Sequence, residues 1–252
     1  MELYFYVLVF MIGLALGSFL NVVIFRFRDG KSVFTGRSQC LKCFSTIRWF
    51  DLVPVISYFF LKGRCRNCKE KISPLYPVVE LVTAVVLFTL FWGAQETSLF
   101  LLLKAAMVAT FIVVLFMDMV HFIIPDKSVL LLASLTVILK LSTSQKAFLN
   151  PLIFALVLTS FFAIIFLVSK GRWIGFGDIK LIFVIGFLFG YPLGYLAIVV
   201  AVWIAFIFSI ILLAAGKANM KTEIPFGSFL SASAIFFIIF GNELQKITQY
   251  FY

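Results

Sequence analysis

The stretch LFLLLKAAMVATFIVVLFMDM, residues 99–119, is uncharged apart from Lys104 and Asp118. A helix of this length rises about 30 Å, which matches the hydrocarbon thickness of a membrane. Comparable apolar runs recur along the chain, and the sixth of them is shorter than the rest. The sequence predicts about eight transmembrane helices, at residues 3–25, 76–93, 99–119, 127–143, 150–168, 178–190, 193–215 and 227–245.

The composition also favours a membrane protein. Hydrophobic residues make up 63% of the 252 residues and charged residues only 13%, whereas soluble domains are about 45–50% apolar and about 25% charged. The first run, residues 3–25, is too long for a signal-peptide core and ends in Arg26 and Arg28. We therefore expect an all-α polytopic membrane protein in which this first helix is retained.

Residues 26–74 are polar and separate the first two apolar runs. They hold eleven of the 21 Lys and Arg residues and all four cysteines. Basic residues concentrate on the cytoplasmic side of membrane proteins, and placing this segment there puts 17 of the 21 on that side, with both termini outside. The net charge of +10 is thus explained by topology, and we expect lipid rather than nucleic acid as a partner. The predicted domains are transmembrane helix 1 (1–25), a cytoplasmic cysteine-box domain (26–74) and a second transmembrane domain of about seven helices (75–252).

The cysteines form two CxxC pairs, Cys40 with Cys43 and Cys65 with Cys68, separated by 21 residues. Paired CxxC turns at such a distance are typical of a closed, structural four-cysteine zinc site. Disulfides or unrelated thiols are the alternative, although disulfides are disfavoured in the cytoplasm. A zinc ion bound by four thiolates carries a charge of −2, which nearby basic side chains are expected to offset: Lys42, Arg64, Arg66 and Lys69.

Two carboxylates stand out against the apolar runs. Asp118 ends the third run, and Asp178 opens the sixth within the motif GFGDIKL. The predicted topology places both at the cytoplasmic ends of their helices, at matching depth. Acidic residues in such positions are energetically costly and usually functional. Two carboxylates in contact share a proton, so that one acts as acid and the other as base on a water molecule, as in aspartyl proteases.

The GFGDIKL motif supplies supporting residues. Gly175 and Gly177 are expected to let the backbone turn tightly before Asp178 and to let another segment approach it. Lys180 is expected to hold its ammonium group at the membrane interface. An alternative is that Asp178 is only a first-turn acid of its helix and Asp118 only an interfacial residue.

Other acidic residues are interpreted individually. Asp126, after a proline, suits the start of a helix, while Asp51 and Glu70 are expected to be solvated loop charges. Glu80, near the inner end of the second apolar run, has either a functional or a helix-pairing role. A proton-coupled transporter is the alternative function for paired membrane carboxylates, although transporters usually place them near the midplane.

These motifs together resemble the type IV prepilin peptidase family, and the resemblance covers nearly the whole chain. The motifs that carry it are GSFLNVVIFR (17–26), the two CxxC pairs, DLVPVISYFFLKGRCRNC (51–68), ISPLYPVVEL (72–81), D-x6-PD (118–126), GFGDIKL (175–181) and IPFGSFL (224–230).

The resemblance implies a bifunctional enzyme of the bacterial plasma membrane. Such enzymes remove the short basic leader of prepilins or pseudopilins at the cytoplasmic face, and many then methylate the new N-terminus with S-adenosylmethionine. The family's catalytic aspartates map onto Asp118 and Asp178, and its cysteine box onto the four cysteines. This sequence lacks the family's usual proline after the first arginines and has Ser228 where a proline usually follows IPFG. We expect neither departure to touch the aspartates.

Overall fold

The computed structural model describes residues 3–26, 38–92, 94, 98–141, 145–217, 219 and 222–249. Within them the chain is helical, apart from loops and two isolated β-bridges. The cysteine-containing segment, from residue 38 onwards, adds a single 3-10 turn at Trp49–Leu52. The α-helices are α1 (Leu3–Arg26), α2 (Ile56–Phe60), α3 (Leu75–Trp92), α4 (Ser98–His121), α5 (Asp126–Leu141), α6 (Gln145–Ser169), α7 (Phe176–Phe189), α8 (Leu193–Ala214) and α9 (Phe226–Gln249).

The predicted all-helical membrane protein is confirmed. Five helices among the described residues are long and apolar enough to cross a membrane, namely α1, α3, α4, α6 and α8. Helices α5 and α7 have 16 and 14 residues, and α9 is apolar over Phe226–Gly241. All eight apolar runs thus form helices, but the number that span the bilayer stays a prediction.

Contacts along the chain group it into two compact units, residues 1–96 and 97–252. The three-part division predicted from the sequence remains a prediction. In the first unit α1 packs along α3, because a Gly-x-x-x-Gly spacing lets the two backbones approach. A Cβ atom added at Gly13 would lie 2.6 Å from the Cα of Ala84, and one added at Gly17 would lie 2.6 Å from the Cα of Glu80.

The second unit is a helical bundle in which α4 packs against α9 and α5, and α7 packs against α5, α6, α8 and α9. Its core is built from fully buried side chains of α4, α7 and α9, such as Phe111, Ile182 and Leu230. The chain runs up and down, so that the C-terminal end of α4 and the N-terminal ends of α5, α7 and α9 meet on one side. This end of the bundle holds Asp118 and Asp178.

Candidate active site and cysteine cluster

Asp118 lies three residues before the end of α4 and is only 6% exposed. Its Oδ2 atom accepts a hydrogen bond from the backbone N–H of Ser228, with an N-to-O distance of 2.7 Å. The Ser228 hydroxyl lies 3.1 Å from the same oxygen, and the backbone of Gly227 also donates to the carboxylate. The expectation that Ser228 does not touch the aspartates is therefore wrong: the first turn of α9 is the main hydrogen-bonding partner of Asp118.

Asp178 is the third residue of α7 and is 9% exposed. Its Oδ2 accepts a hydrogen bond from the backbone N–H of Gly175, the N-cap residue, at 3.1 Å. This is the helix-start role considered for Asp178 from the sequence. A capping acid at a water-exposed helix end needs no burial, so the enclosure of Asp178 beside a second buried carboxylate goes beyond that role.

The structure brings the two aspartates together. Both carboxylates are buried at the end of the bundle where α4 and α7 both pack against α9. Between their helices lies Ile124, from the loop after α4. A Cβ atom added at Gly177 would lie 3.1 Å from the Ile124 Cβ, and one added at Gly227 would lie 2.6 Å from the Ile124 Cδ1. Tight packing on a single isoleucine thus joins the segments that carry the two carboxylates.

The glycines of GFGDIKL matter because they leave room for neighbouring atoms, and not because they adopt unusual backbone angles. Gly175 has φ −76° and ψ 151°, an ordinary extended conformation, so the predicted tight turn is wrong at this residue. A Cβ atom there would instead lie 3.2 Å from Oδ2 of Asp178. The expected close approach of another segment is confirmed at Gly177 by its contact distance to Ile124.

Lys180 does not simply extend to the interface. Its Nζ donates to Oδ1 of Asp126 at 2.5 Å, and it lies 4.7 Å from the centre of the Phe176 ring. Asp126 is the first residue of α5, as the sequence predicts, and is mostly exposed. The ion pair therefore connects the starts of α5 and α7 at the edge of the site.

Glu80 lies in the first unit, on α3, and is 8% exposed. Its carboxylate accepts a hydrogen bond from the backbone N–H of Val55 at 2.8 Å, and the side chains of Ser18 and Asn21 on α1 also bond to it. Val55 has φ +62°, which is unusual for a β-branched residue. Glu80 therefore holds a strained loop of the cysteine-containing segment against α1 and α3, consistent with the helix-pairing role considered from the sequence.

The two CxxC pairs adopt the same turn. Cys40 donates its N–H to Ser45, and Cys65 donates to Glu70 at the equivalent place. An isolated β-bridge closes each turn, Gln39 with Thr46 and Arg64 with Lys71. The residue after each second cysteine has a positive φ, at Phe44 and Lys69. Two equivalent turns present two pairs of sulfurs to a common point.

The four sulfurs converge as a tetrahedral site requires. All lie within 4.8 Å of one another, and Cys40 Sγ is 3.7 Å from Cys68 Sγ. With zinc–sulfur bonds of about 2.3 Å, the sulfurs of a tetrahedron lie about 3.8 Å apart. None of the four forms a disulfide. The chemistry and spacing of the donor set fit a four-coordinate metal ion.

Ion pairs link the two turns to their surroundings. Lys42 donates to Glu70 at 2.7 Å, and Arg66 binds Asp51 through two hydrogen bonds of 2.6 and 2.9 Å. The Arg66 guanidinium lowers the pKa of Asp51, whose side chain is only 7% exposed. The expectation that Asp51 is a solvated loop charge is therefore wrong, whereas Glu70 is an exposed loop residue, as expected. The hydrogen bond to Glu70 and the charge of that carboxylate raise the pKa of Lys42, and the nearby Cys68 and Cys40 add to this.

Three residues surround Asp118 in a way that was not predicted from the sequence: Ile124, Gly227 and Ser228. A signal was present, because IPFGSFL was one of the family motifs and contains two of them. Its contact with Asp118 was not visible, since residues 118 and 228 are 110 positions apart and only the packing of α4 on α9 joins them.

Comparisons with known proteins agree with this geometry. Residues 11–94 match the family model described as Bacterial Peptidase A24 N-terminal domain. Residues 105–211, which include both aspartates, match the Type IV leader peptidase family. No solved structure matches the chain.

Two of the relatives described here match over most of their length, and a third matches over less than half of it. The chain is 29% identical over 237 residues to a protein of Bacillus subtilis named Prepilin leader peptidase/N-methyltransferase, which covers 94% of this chain and 95% of the relative. A Pseudomonas aeruginosa protein of the same name is 28% identical over 266 residues, covering 94% and 90%. One from Vibrio cholerae is 39% identical over 107 residues, covering 38% and 41%. The paired aspartates, the four-cysteine cluster and these matches together place the chain in the type IV leader peptidase family.

Proposed function

We propose that the protein is an aspartyl endopeptidase of the bacterial inner membrane. It removes the short basic leader of type IV prepilins or pseudopilins and then methylates the new N-terminus. The observation that carries the peptidase assignment is the pairing of Asp118 and Asp178. Both are buried, come from different helices, and lie where the ends of α4, α7 and α9 meet.

The chemistry follows from the shared proton of two adjacent carboxylates. The ionised aspartate takes a proton from water, and the water oxygen bonds to the carbonyl carbon of the scissile peptide. The protonated aspartate gives its proton to the carbonyl oxygen. The resulting tetrahedral diol breaks at its C–N bond as the leaving nitrogen takes the proton gained by the base. One hydroxyl of the diol returns its proton to the other aspartate, which restores the shared proton, and no covalent enzyme intermediate forms.

The bias of basic residues supports a cytoplasmic location for this chemistry. The loops and first helical turns at the Asp118 and Asp178 ends of the helices carry Lys127, Lys170, Arg172 and Lys180, and such residues favour the cytoplasmic side. A basic leader is expected to stay on the cytoplasmic side by the same rule, and its removal there requires an active site on that side. The membrane-spanning helices also allow the apolar segment of a prepilin to remain in lipid beside the enzyme.

The four cysteines support a structural zinc site, held by Cys40, Cys43, Cys65 and Cys68. Zinc there would have no open coordination position and would stabilise a segment that has few apolar residues to bury. Glu80 supports the same segment through Val55. The N-methyltransferase activity, with S-adenosylmethionine as donor, rests on the resemblance and on the names of the relatives. The family match does not support the transporter alternative.

A direct test uses purified full-length protein and a synthetic prepilin leader peptide, with the products read by mass spectrometry. Release of the leader establishes the peptidase, and a further mass gain of one methyl group in the presence of S-adenosylmethionine establishes the transferase. An intact peptide after incubation with folded protein would contradict the proposed function.

A further inference from the structure

The hydrogen bonds to the two aspartates are unequal. Asp118 accepts from the backbone N–H of Ser228 at 2.7 Å, lies 3.1 Å from the Ser228 hydroxyl, and accepts from the backbone of Gly227. Among the described residues, Asp178 accepts from the backbone of Gly175 at 3.1 Å. Hydrogen bonds donated to a carboxylate stabilise its ionised form, so Asp118 is the better place for the shared negative charge.

The location of Ser228 explains why its backbone can donate to Asp118. Ser228 is the third residue of α9, and the N–H groups of a first helical turn have no partner four residues earlier. The positive end of the α9 dipole favours the charge of Asp118, but Asp178 lies in the first turn of α7 and benefits from its own helix in the same way, so the difference between the two carboxylates comes from their hydrogen bonds. Asp118, from α4, therefore satisfies donors at the start of α9 and gains stabilisation of its charge in return.

We propose that Ser228 is a positioning residue that fixes the roles within the pair. It holds Asp118 ionised, which makes Asp118 the base that takes a proton from water and leaves the shared proton on Asp178 as the acid. This inference rests on the proposed peptidase function and extends it, because the family resemblance places a proline at this position. Proline has no N–H, so this chain supplies donors that a proline cannot.

The other charged groups near Asp118 do not account for the unequal stabilisation of the two carboxylates. Asp178 is the second member of the pair, and His121 is half-buried on the last turn of α4 itself. The first turn of α9, FGSFL, contains no titratable side chain. The remaining charged side chains at the adjoining helix ends are exposed or paired with one another: Asp126, Lys127, Lys170, Arg172, Lys180 and Glu223.

The Ser228 hydroxyl has one proton and two acceptors, the Leu115 carbonyl at 2.8 Å and Asp118 Oδ2 at 3.1 Å. The backbone N–H also has a second acceptor, the Pro225 carbonyl at 3.2 Å, but lies closer to Asp118, at 2.7 Å. The N–H is therefore the stronger donor to Asp118, and the two contributions can be separated. Ser228→Ala removes the hydroxyl alone, and Ser228→Pro removes the hydroxyl and the N–H. Proline is tolerated in the first turn of a helix, so the second variant is expected to fold.

The test is the pH dependence of kcat/KM for leader cleavage in the purified full-length enzyme. Loss of donors makes the base harder to ionise, so its acid limb moves to higher pH. We expect a shift of about one pH unit in Ser228→Pro, since a hydrogen bond to a charged group is worth about that much, and a smaller upward shift in Ser228→Ala. The matched control is Ser233→Ala, which removes a buried α9 serine bonded to Ala197 on α8, and it should leave the limb unmoved.

An acid limb that stays in place in every Ser228 variant that inserts and cleaves would overturn the inference, and if Ser228→Pro does not insert, Ser228→Ala decides. Asp118→Asn separates this failure from that of the proposed function. If Asp118→Asn is inactive while the Ser228 profiles are unshifted, the peptidase proposal stands and the role of Ser228 falls. If Asp118→Asn cleaves normally, both proposals fall.

Discussion

Lys180 donates to Asp126 across 54 residues of sequence, with 2.5 Å between Nζ and Oδ1. The pair joins the first turns of α5 and α7, and Lys180 is two residues from Asp178 in sequence. Both side chains are partly exposed, at 32% for Lys180 and 79% for Asp126. Asp126 is therefore the acidic residue most easily mistaken for a catalytic partner, and its exposure distinguishes it from the two buried aspartates.

Asp126→Asn should retain substantial cleavage activity. Exposed ion pairs contribute about 0–1 kcal/mol, so we expect a small loss of stability and no loss of the chemical step. The checks are the cleavage rate and the midpoint of thermal unfolding in detergent. An inactive Asp126→Asn beside an active Asp118→Asn would show that Asp126 is the true partner of Asp178.

Gly227→Ala should reduce cleavage by about tenfold, because overpacking a tight site costs about 1–3 kcal/mol. The added Cβ would lie 2.6 Å from the Ile124 Cδ1 and 3.1 Å from Asp118 Oδ2. Ile124→Val removes the Cδ1 atom, so the double variant should recover part of the lost rate.

The matched control for Gly227 is Gly241→Ala, on the same helix, where an added Cβ meets nothing within 4 Å. Cleavage rates and unfolding midpoints of the four variants provide the comparison. Equal activity of Gly227→Ala and Gly241→Ala would contradict the packing described around Asp118.

Replacing Cys40 and Cys43 with serine should remove bound metal and loosen the cysteine-containing segment. The metal site depends on four thiolates, whereas the aspartate pair lies in the other compact unit. We therefore expect methylation to fall more than cleavage. Elemental analysis of chelator-free preparations checks the metal content. A wild-type protein with no metal and no titratable thiols would favour disulfides instead.

Glu80→Ala should destabilise the connection between the loop at Val55 and the helices α1 and α3. It leaves the Val55 N–H without its acceptor, at a cost of about 1–3 kcal/mol. Hydrogen exchange at residues 53–57 should become faster. Glu70→Ala is the control, since its exposed pair with Lys42 contributes little. Unchanged exchange in Glu80→Ala would show that the hydrogen bond to Val55 does not hold the loop.

The helices could be predicted from the sequence because charges and turn residues bound the apolar runs. The predicted run 193–215 corresponds to α8, Leu193–Ala214, and the run 76–93 to α3, Leu75–Trp92. The sixth run is predicted at 178–190, whereas the helix α7 begins two residues earlier, at Phe176. Asp178 is therefore the third residue of this helix and not its first. The periodicity of apolar residues and the positions of charges are properties of the local sequence, and they determine where these helices begin and end.

The contacts around the aspartates could not be predicted in the same way. The bond from Ser228 to Asp118 depends on how α4 packs against α9, and the bond from Arg66 to Asp51 depends on how two loops fold together. Neither hydrogen bond can be inferred from a local pattern of the sequence. The family motifs indicated which segments matter, but the structure was needed to show that IPFGSFL contacts the aspartate of the D-x6-PD motif.

The central claim is that Asp118 and Asp178 act as one proton-sharing pair, and paired mutants test it most directly. The measurement is the rate of leader-peptide cleavage by purified Asp118→Asn, Asp178→Asn and the double variant, all shown to insert and to retain metal. Each single variant should lose cleavage, and the double variant should be no worse than either, because residues that act as a unit are not additive. The wild-type pH profile should be bell-shaped, with two apparent pKa values that belong to the pair. Near-normal cleavage by either single variant would contradict the account.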